Sequence, residues 1–309
     1  MKKFLYKLFG FALLLVLAVS IILKIFGGYA DYFYVKFTTP QAKSMIIGDS
    51  RSFQGVQPAV INENLSGFQK PLFNYSFTTA QVSYGESYLK SIKAKLDLNT
   101  KNGLFILSVH PFSLAQRDSD NFAKGIYFEA DEPPHNMRFP SMDPNPEYFF
   151  KNFKYFHFKT IFSKVALLHE DGWLELNNIP TDSAAIKAVQ FEVEKTYHGF
   201  AERWKKAPYR VSKLEETIAF LKQHGTVILV RMPVSKSVLK IESGFWPNFD
   251  DEIEKIAAKE NVDYINYAKS AHSFVVFDGS HLDNKSGAIF SKAMCDSIRM
   301  KSLLPKINK

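Results

Sequence analysis

The stretch that decides the fold is residues 43–52, KSMIIGDSRS. Its first six residues form a short apolar run that ends in Gly48, which predicts a buried β-strand followed by a turn. In an open parallel sheet, residues just beyond the carboxyl end of a strand face the ligand. This places Ser50 where a nucleophile would act, and its backbone N–H can serve as an oxyanion donor. Asp49 and Ser50 are also common residues of plain turns and helix N-caps.

The rest of the chain alternates apolar strands with amphipathic helices. Further strands are predicted over 71–75, 103–109, 226–232 and 262–267, and helices over 57–65, 81–96, 186–224, 249–260 and 284–300. Residues 103–109 read GLFILSV, which is continuously apolar as expected of a central strand. The alternation predicts an α/β fold, with a parallel sheet and helices on both of its faces.

Residues 112–185 interrupt this alternation. They are rich in prolines and aromatic residues and show no sustained helical or strand period. We interpret them as an irregular and partly helical insertion over one end of the sheet, which could serve as a lid or substrate-binding arm.

The N-terminus has the pattern of a membrane anchor. Lysines precede the apolar run Leu8–Phe26, which would span about 28 Å as a helix, close to the thickness of the bilayer's hydrocarbon core. We predict a transmembrane helix within residues 1–28 and an extracytoplasmic domain over 29–309. The lysines place the N-terminus in the cytoplasm and the domain in the periplasm or outside the cell, with the anchor in the inner or cytoplasmic membrane.

Two other interpretations of this run remain open. It could be a cleaved signal peptide, with small residues at 18–20 or 27–30, or a buried helix of a soluble protein. The run is long for a signal peptide, and Lys24 near its end can snorkel to the interface. Aromatic residues that follow are expected to form an interfacial belt: Tyr29, Tyr32, Phe33 and Tyr34.

A second motif lies near the other end of the chain, at residues 277–282, FDGSHL, just before the last predicted helix. Asp278 and His281 are three residues apart on a turn, so the carboxylate can accept a hydrogen bond from one imidazole nitrogen. The other nitrogen is then free to act as a base, which a serine hydroxyl needs in order to attack at neutral pH. Alone, such a pair is equally typical of a solvated surface turn.

Together, Gly-Asp-Ser after the first strand and Asp-x-x-His-Leu before the last helix resemble the pattern of the SGNH/GDSL hydrolase superfamily. The resemblance covers roughly residues 43–300, and the two ends carry its motifs. It implies a three-layer α/β/α sandwich with a flavodoxin-like parallel sheet. It also implies that Ser50 is the nucleophile, His281 the general base and acid, and Asp278 the residue that orients His281.

The sequence departs from this family after the strand 103–109. No Gly-x-Asn-Asp block, whose asparagine completes the oxyanion hole, follows that strand; His110 stands there instead. Asn74 and the backbone N–H of Gly85 are candidate replacements, although Asn74 could equally be a turn residue bonded to its own backbone. His110 is expected either to line the pocket or to be structural.

Two arginines are predicted at the same edge of the sheet. Arg51 directly follows the predicted nucleophile, and Arg231 ends a predicted central strand. A guanidinium there could bind an acidic group of the substrate. A structural ion pair is the other interpretation of each.

The early Gly-x-Ser, the late Asp-x-x-His and the anchor resemble one branch, the membrane-tethered SGNH-like proteins that work beside membrane-bound O-acyltransferases. Such proteins act in cell-wall D-alanylation and exopolysaccharide O-acetylation. This resemblance implies acyl transfer to, or ester removal from, a surface glycan, with a membrane-bound O-acyltransferase as partner. A non-catalytic scaffold that docks the acyltransferase or presents glycan is the alternative, and the missing Gly-x-Asn-Asp block favours it.

Composition excludes several other classes. The chain of 309 residues is 46% hydrophobic and 23% charged, as expected of a globular protein, and its formal charge of +8 suits lipid headgroups or acidic polymers. It has no helix-turn-helix or RNA-binding motif, so nucleic acid is not an expected partner. Cys295 is the one cysteine, which excludes an intramolecular disulfide. No metal-ligand cluster or phosphate loop occurs, so neither a metal nor a cofactor is expected.

Overall fold

The computed structural model describes residues 1–304 apart from 153, 155–161 and 163, and it describes only the backbone of residues 23 and 26–30. Part of the predicted insertion, residues 305–309 of the predicted domain and the side chain of Tyr29 therefore lie outside the described residues. Both sequence motifs and all the predicted strands lie within them.

The described strands form one main sheet and two small antiparallel pairs. They are β1 (Ser44–Ile47), β2 (Leu72–Asn74), β3 (Gly103–Ser108), β4 (Ala115–Gln116), β5 (Ala166–Leu168), β6 (Leu174–Leu176), β7 (Lys205–Lys206), β8 (Gly225–Arg231) and β9 (Asp263–Asn266). The main sheet is parallel throughout and has the order β2-β1-β3-β8-β9. Numbered within that sheet alone, the order is 2-1-3-4-5, which is flavodoxin-like.

Helices surround this sheet and precede it. They are α1 (Lys2–Ala30), α2 (Tyr34–Thr38), α3 (Ser50–Gly55), α4 (Pro58–Asn64), α5 (Glu86–Lys95), α6 (Pro146–Asn152), α7 (Ser183–Arg203), α8 (Pro208–Leu221), α9 (Lys236–Phe245), α10 (Phe249–Glu260) and α11 (Asn284–Met300). Because each parallel strand of the main sheet needs a crossover to the next, helices alternate with its strands along the chain.

Different helices cover the two faces of the main sheet, because successive side chains of a strand point to opposite sides. Met45 and Phe105 belong to a buried cluster with side chains of α5, α8 and α10. Ile46 and Ile106, their chain neighbours, belong to a second cluster with α4 and α11. The predicted three-layer α/β/α sandwich with a flavodoxin-like sheet is confirmed.

Short elements occupy the described parts of residues 112–185. β5 and β6 form an antiparallel hairpin, and the backbone N–H of Asn74 donates to the carbonyl of Asp171 in its turn at 2.8 Å. Ala166 and Leu174 of the hairpin pack on Phe53 of α3. This part of the chain therefore reaches the helix that carries Ser50. The domain bounds 1–28 and 29–309 stay predictions.

Three sequence predictions of helices need correction. The helix predicted over 81–96 begins only at Glu86, because Gly85 is its N-cap and the backbone before it is extended or turning. The helical stretch 186–224 is two helices, divided where β7 pairs with β4 and where Pro208 begins α8. Helices α2, α3 and α9 were not predicted.

The anchor prediction rests on α1, a continuous helix of 29 residues. Among the described residues it is the one helix that is long and apolar enough to cross a membrane, through Lys2–Ile22. The aromatic belt predicted just after it is wrong for two residues. Tyr34 is buried in the domain core against Tyr148, and the partly buried ring of Phe33 packs against that core at Phe53.

A first prediction concerns Gly225, which pairs with Gly103 where β8 and β3 begin side by side. A Cβ on Gly225 would collide with the backbone of Gly103, so Gly225→Ala must push two central strands apart. We expect a loss of about 1–3 kcal/mol in the free energy of unfolding, measured by guanidinium titration of the full chain in detergent. Gly199→Ala is the matched control, because a Cβ there meets nothing within 4 Å and alanine favours the helix. Equal transition midpoints for the two variants would contradict this account of the strand contact.

Candidate active site

The residues of both motifs meet beyond the carboxyl ends of β1 and β3. These two strands are neighbours, and the chain order of the sheet reverses between them, which is where open α/β sheets bind ligands. Ser50 is the first residue of α3, and Asp49 is its N-cap, with Oδ1 accepting from the backbone N–H of Arg51 at 3.2 Å. The strand and turn predicted from residues 43–52 therefore exist, and they are followed by α3, which was not predicted and which presents the partly exposed Ser50.

Ser50, His281 and Asp278 form a continuous hydrogen-bonded row. His281 Nε2 lies 2.8 Å from Ser50 Oγ, and His281 Nδ1 lies 2.6 Å from Asp278 Oδ2. The two ends of this row come from motifs more than two hundred residues apart in the chain. The structure thus brings together the three residues that the sequence predicted as a triad.

Asp278 is held in place by the backbone of its own turn. Its Oδ1 accepts from the N–H of Ser280 at 2.8 Å and from the N–H of His281 at 2.7 Å, which leaves Oδ2 for the imidazole. Burial alone would raise the pKa of the Asp278 carboxyl, but His281 and these N–H donors hold the pKa below its usual value. Asp278 is therefore an ionised acceptor that fixes Nδ1 of His281 as the protonated nitrogen, so Nε2 can take the proton of Ser50.

His110 does not line the site; this corrects one of its two predicted roles. The side chain is buried, and Nε2 lies 2.6 Å from Asp49 Oδ2. Burial and the nearby Arg51 lower the pKa of His110. Asp49 stays ionised, because His110 and Arg51 hold the pKa of its carboxyl below the usual value against the effect of burial. His110 is the structural histidine of the alternative interpretation.

Arg51 also proves structural rather than substrate-binding. Only 1% of the residue is exposed, and its Nη2 lies 2.7 Å from Glu242 Oε1 on α9. The same guanidinium donates to Tyr197 OH at 2.9 Å and to Ser280 Oγ at 3.2 Å. One buried cation therefore joins α3, which begins at Ser50, to α7, α9 and the turn that carries His281.

Arg231 shares the same carboxylate. Its Nη2 lies 2.8 Å from Glu242 Oε2, and its Nη1 lies 2.5 Å from Asp250 Oδ1. Burial alone would raise the pKa of Glu242, but Arg51, His110 and Arg231 hold it below the usual value. The prediction that Arg231 binds substrate is replaced by the ion-pair alternative.

Asn74 cannot serve as the oxyanion donor in this structure. Its Nδ2 donates to the carbonyls of Ser52 and Val56 at 2.8 and 3.0 Å, and its Oδ1 accepts from the N–H of Ser76 at 3.0 Å. The side chain is fully buried, and both amide protons are used. Asn74 instead ties the end of β2 to α3, which partly fits the turn-residue alternative.

Gly85 has a packing role. It is the N-cap of α5, and a Cβ there would collide with the guanidinium of Arg210 and approach Glu129 closely. Arg210 and Glu129 form a fully buried ion pair, with 2.7 Å between Nη1 and Oε1. The glycine therefore makes room for this pair, and its oxyanion role stays a prediction.

Several residues of the site were not predicted. Thr79 Oγ1 lies 3.3 Å from Asp49 Oδ2, which brings the loop after β2 beside the nucleophile turn. Gln190 of α7 donates to the carbonyl of Phe277, so this helix lies over the turn that carries His281. Glu242 carried no sequence signal, because the helix that contains it was itself missed. Asp49 could have been found, since it lies inside the first motif.

Comparison with known sequences gives no relative. No protein-family model matches the chain, and no curated protein matches it. The fold and the arrangement around Ser50 therefore define its class, an α/β protein with a serine–histidine–aspartate site at the switch point of a parallel sheet.

Solved structures similar to this chain are esterases and lipases. An aryl esterase of M. smegmatis has a TM-score of 0.39 at 11% identity, covering 84% of this chain and 100% of its own. A carbohydrate acetylesterase from Sinorhizobium meliloti has 0.39 at 8%, covering 84% and 99%. A lipase/acylhydrolase from Enterococcus faecalis has 0.39 at 12%, covering 85% and 98%. The fold assignment rests on the sheet order described above, and these values add nothing to it.

A second prediction tests the buried ion pair. Glu242→Gln removes the carboxylate that neutralises Arg51, and a buried cation without its partner costs about 3–5 kcal/mol. We expect the free energy of unfolding to fall by about that amount in guanidinium titrations. Glu254→Gln, on the exposed side of α10, is the control and should change it by no more than about 0.5 kcal/mol. A Glu242→Gln variant as stable as that control would contradict the role given to the pair.

Proposed function

We propose that this protein is a serine acyl-ester hydrolase or O-acyltransferase that works through an acyl-enzyme on Ser50. The observation that carries the proposal is the hydrogen-bonded row Ser50–His281–Asp278, with 2.8 and 2.6 Å between its polar atoms. An ordinary surface turn has no physical need for a buried carboxylate that orients an imidazole toward a partly exposed serine.

The chemistry follows from this row. Ser50 Oγ attacks the ester carbonyl while His281 Nε2 takes its proton, and the negative charge forms on the carbonyl oxygen. When the tetrahedral intermediate collapses, His281 returns that proton to the departing alcohol, and the acyl group stays on Ser50. Water or a sugar hydroxyl then attacks the acyl-enzyme, giving its proton to His281, and Ser50 leaves with that proton.

The oxyanion would face the nucleophile turn. The backbone N–H of Ser50 is the first donor, because Ser50 begins α3 directly after β1. Both amide protons of Asn74 are donated to main-chain carbonyls, so this side chain has none left for the oxyanion. Thr79 of the neighbouring loop, whose hydroxyl lies 3.3 Å from Asp49 Oδ2, is the proposed second donor.

We propose a glycan as the acyl acceptor or ester substrate, at a cell surface. The support is the sequence resemblance to membrane-tethered SGNH-like proteins and the polar surroundings of the described site. Thr79 and Gln190 lie beside the turns that carry Ser50 and His281, and both are partly exposed. Hydroxyl and amide side chains suit a sugar better than a lipid tail.

We further propose that α1 anchors the domain in the cytoplasmic membrane, with the N-terminus in the cytoplasm and the catalytic domain outside. The length and apolarity of α1 support a membrane span. A membrane-bound O-acyltransferase is the proposed partner, as the same resemblance implies. A scaffold without catalysis remains the alternative, favoured by the missing Gly-x-Asn-Asp block.

A third prediction separates enzyme from scaffold. The full chain in detergent is incubated with a fluorophosphonate, and the adduct is located by peptide mass spectrometry. We expect one adduct on Ser50 that is lost in Ser50→Ala and strongly reduced in His281→Ala, because the hydroxyl needs its base. His198→Ala, at an exposed histidine of α7, should label normally. No adduct on a folded wild-type chain would favour the scaffold.

A fourth prediction tests the substrate class. We expect the full chain to remove acetyl groups from an O-acetylated oligosaccharide, or to transfer them to a second oligosaccharide, followed by mass spectrometry. Asp278→Asn should slow either reaction by about 10³–10⁴-fold, because the carboxylate that fixes the tautomer of His281 is lost. Cleavage of a phospholipid ester in preference to the oligosaccharide would refute the glycan proposal and keep the serine mechanism.

A further inference from the structure

Four large apolar side chains between residues 139 and 162 are exposed. Phe139 is 51% exposed, Met142 37%, Phe150 91% and Phe162 88%. Single exposed apolar residues are ordinary on protein surfaces, but two phenylalanines that are each about nine-tenths exposed in one part of the chain indicate an interaction site. We call these four residues the Phe150 surface.

Helix α6, which carries Phe150, is fastened to the chain just beyond α1. Tyr148 OH donates to Asp31 Oδ1 at 2.5 Å, and Asp31 directly follows the last residue of α1. The rings of Tyr148 and Phe149 pack on Tyr34 at 5.5 and 4.9 Å. Tyr148 faces the domain, so Phe150, two residues later on the helix, points away from it.

The flanks of α6 also adjoin the outer part of α1. Lys24 and Ile25 of α1 line one cleft together with Asp143 and Pro144, which precede α6. Beyond α6 along the chain, β5 contacts α1 and begins four residues after Phe162. The chain therefore enters and leaves this region beside the anchor.

The height of α6 above the proposed span matches the headgroup layer. The apolar run of α1 ends at Phe26, and Asp31 follows five residues later. At 1.5 Å per helical residue this separation is about 8 Å. Headgroups add roughly 5–8 Å on each side of the hydrocarbon core, so side chains of α6 can reach them.

The sequence from residue 149 to 164, FFKNFKYFHFKTIFSK, has the composition of an interfacial segment. It holds six phenylalanines, one tyrosine and four lysines, with no aspartate or glutamate. Aromatic rings favour the membrane–water interface, and clustered lysines are attracted to anionic headgroups. A protein partner would not require this pairing of rings with one sign of charge.

We propose that the Phe150 surface inserts into the headgroup layer of the bilayer that α1 crosses, with Lys151 facing anionic lipid. The side chain of Lys151 is 40% exposed, and its Nζ donates to Glu147 Oε1 and to the carbonyl of Asn136, both at 2.6 Å. The domain is then attached at two points, α1 and the Phe150 surface, which fixes its tilt. The proposal rests on α1 being retained as an anchor and is independent of catalysis at Ser50.

The test uses the full chain in lipid nanodiscs of phosphatidylglycerol and phosphatidylcholine that contain a doxyl-labelled lipid as quencher. A thiol-reactive, polarity-sensitive fluorophore is placed on Phe150→Cys, and the parent chain reports labelling of Cys295, which is buried. Phe191→Cys is the matched control, because Phe191 is 64% exposed on α7. We expect quenching at position 150 to exceed that at 191 several-fold.

A second arm tests the charge. In discs of phosphatidylcholine alone, or with Lys151→Glu added, quenching at position 150 should fall several-fold while that at 191 stays unchanged. Both positions are exposed, so the substitutions should leave the fold intact, which circular dichroism checks. Quenching at 150 equal to that at 191 would overturn the proposal and assign the surface to a protein partner or to solvent. Quenching at 150 that is indifferent to lipid charge would overturn the role of Lys151.

Discussion

The arrangement of the site depends on one buried ion pair, between Arg51 and Glu242. Arg51 directly follows Ser50, and water cannot reach its guanidinium. A buried cation must find its partners inside the protein, because losing them costs several kcal/mol. Those partners come from α9, from Tyr197 of α7 and from Ser280 beside His281. The distance between Ser50 and His281 therefore depends on the buried guanidinium of Arg51, which connects the turns that carry these two residues.

Glu242 connects the Arg51 ion pair to two other buried residues, Arg231 and His110. One carboxylate faces Arg51 and Arg231, and His110 Nδ1 lies 3.6 Å from it. Arg51 and Arg231 face the carboxylates of Glu242 and Asp250, and Asp49 lies beside His110, so the buried charges of this cluster oppose one another. His110 follows β3 directly, and its side chain is buried beside Asp49 and Glu242. At that position the side chain completes a buried charge network.

The sequence predicted what local pattern controls. The bounds of α10 and α11 match their predicted ranges, because their apolar period and end residues lie within the segments themselves. Ser50, Asp278 and His281 were found because each stands on a turn whose neighbours restrict its direction. For Asn74 and His110 the sequence left two roles open, because a single polar side chain is satisfied by whichever donor or acceptor the fold brings near. Glu242 had no local pattern that could reveal its partners.

The donors available to the oxyanion determine which esters the proposed mechanism could cleave. The acid–base row is geometrically complete, while Asn74 does not face the oxyanion, because its amide donates to the carbonyls of Ser52 and Val56. Loss of one oxyanion donor costs about 10²–10³ in rate. Ser50 should then react readily with strongly activated acyl or phosphonyl groups, whereas an unactivated ester would need a further donor. Thr79 could supply it if its hydroxyl gives up the 3.3 Å hydrogen bond to Asp49 and rotates toward the oxyanion. That change costs little, because Asp49 keeps the bonds from His110 and from the N–H of Arg51.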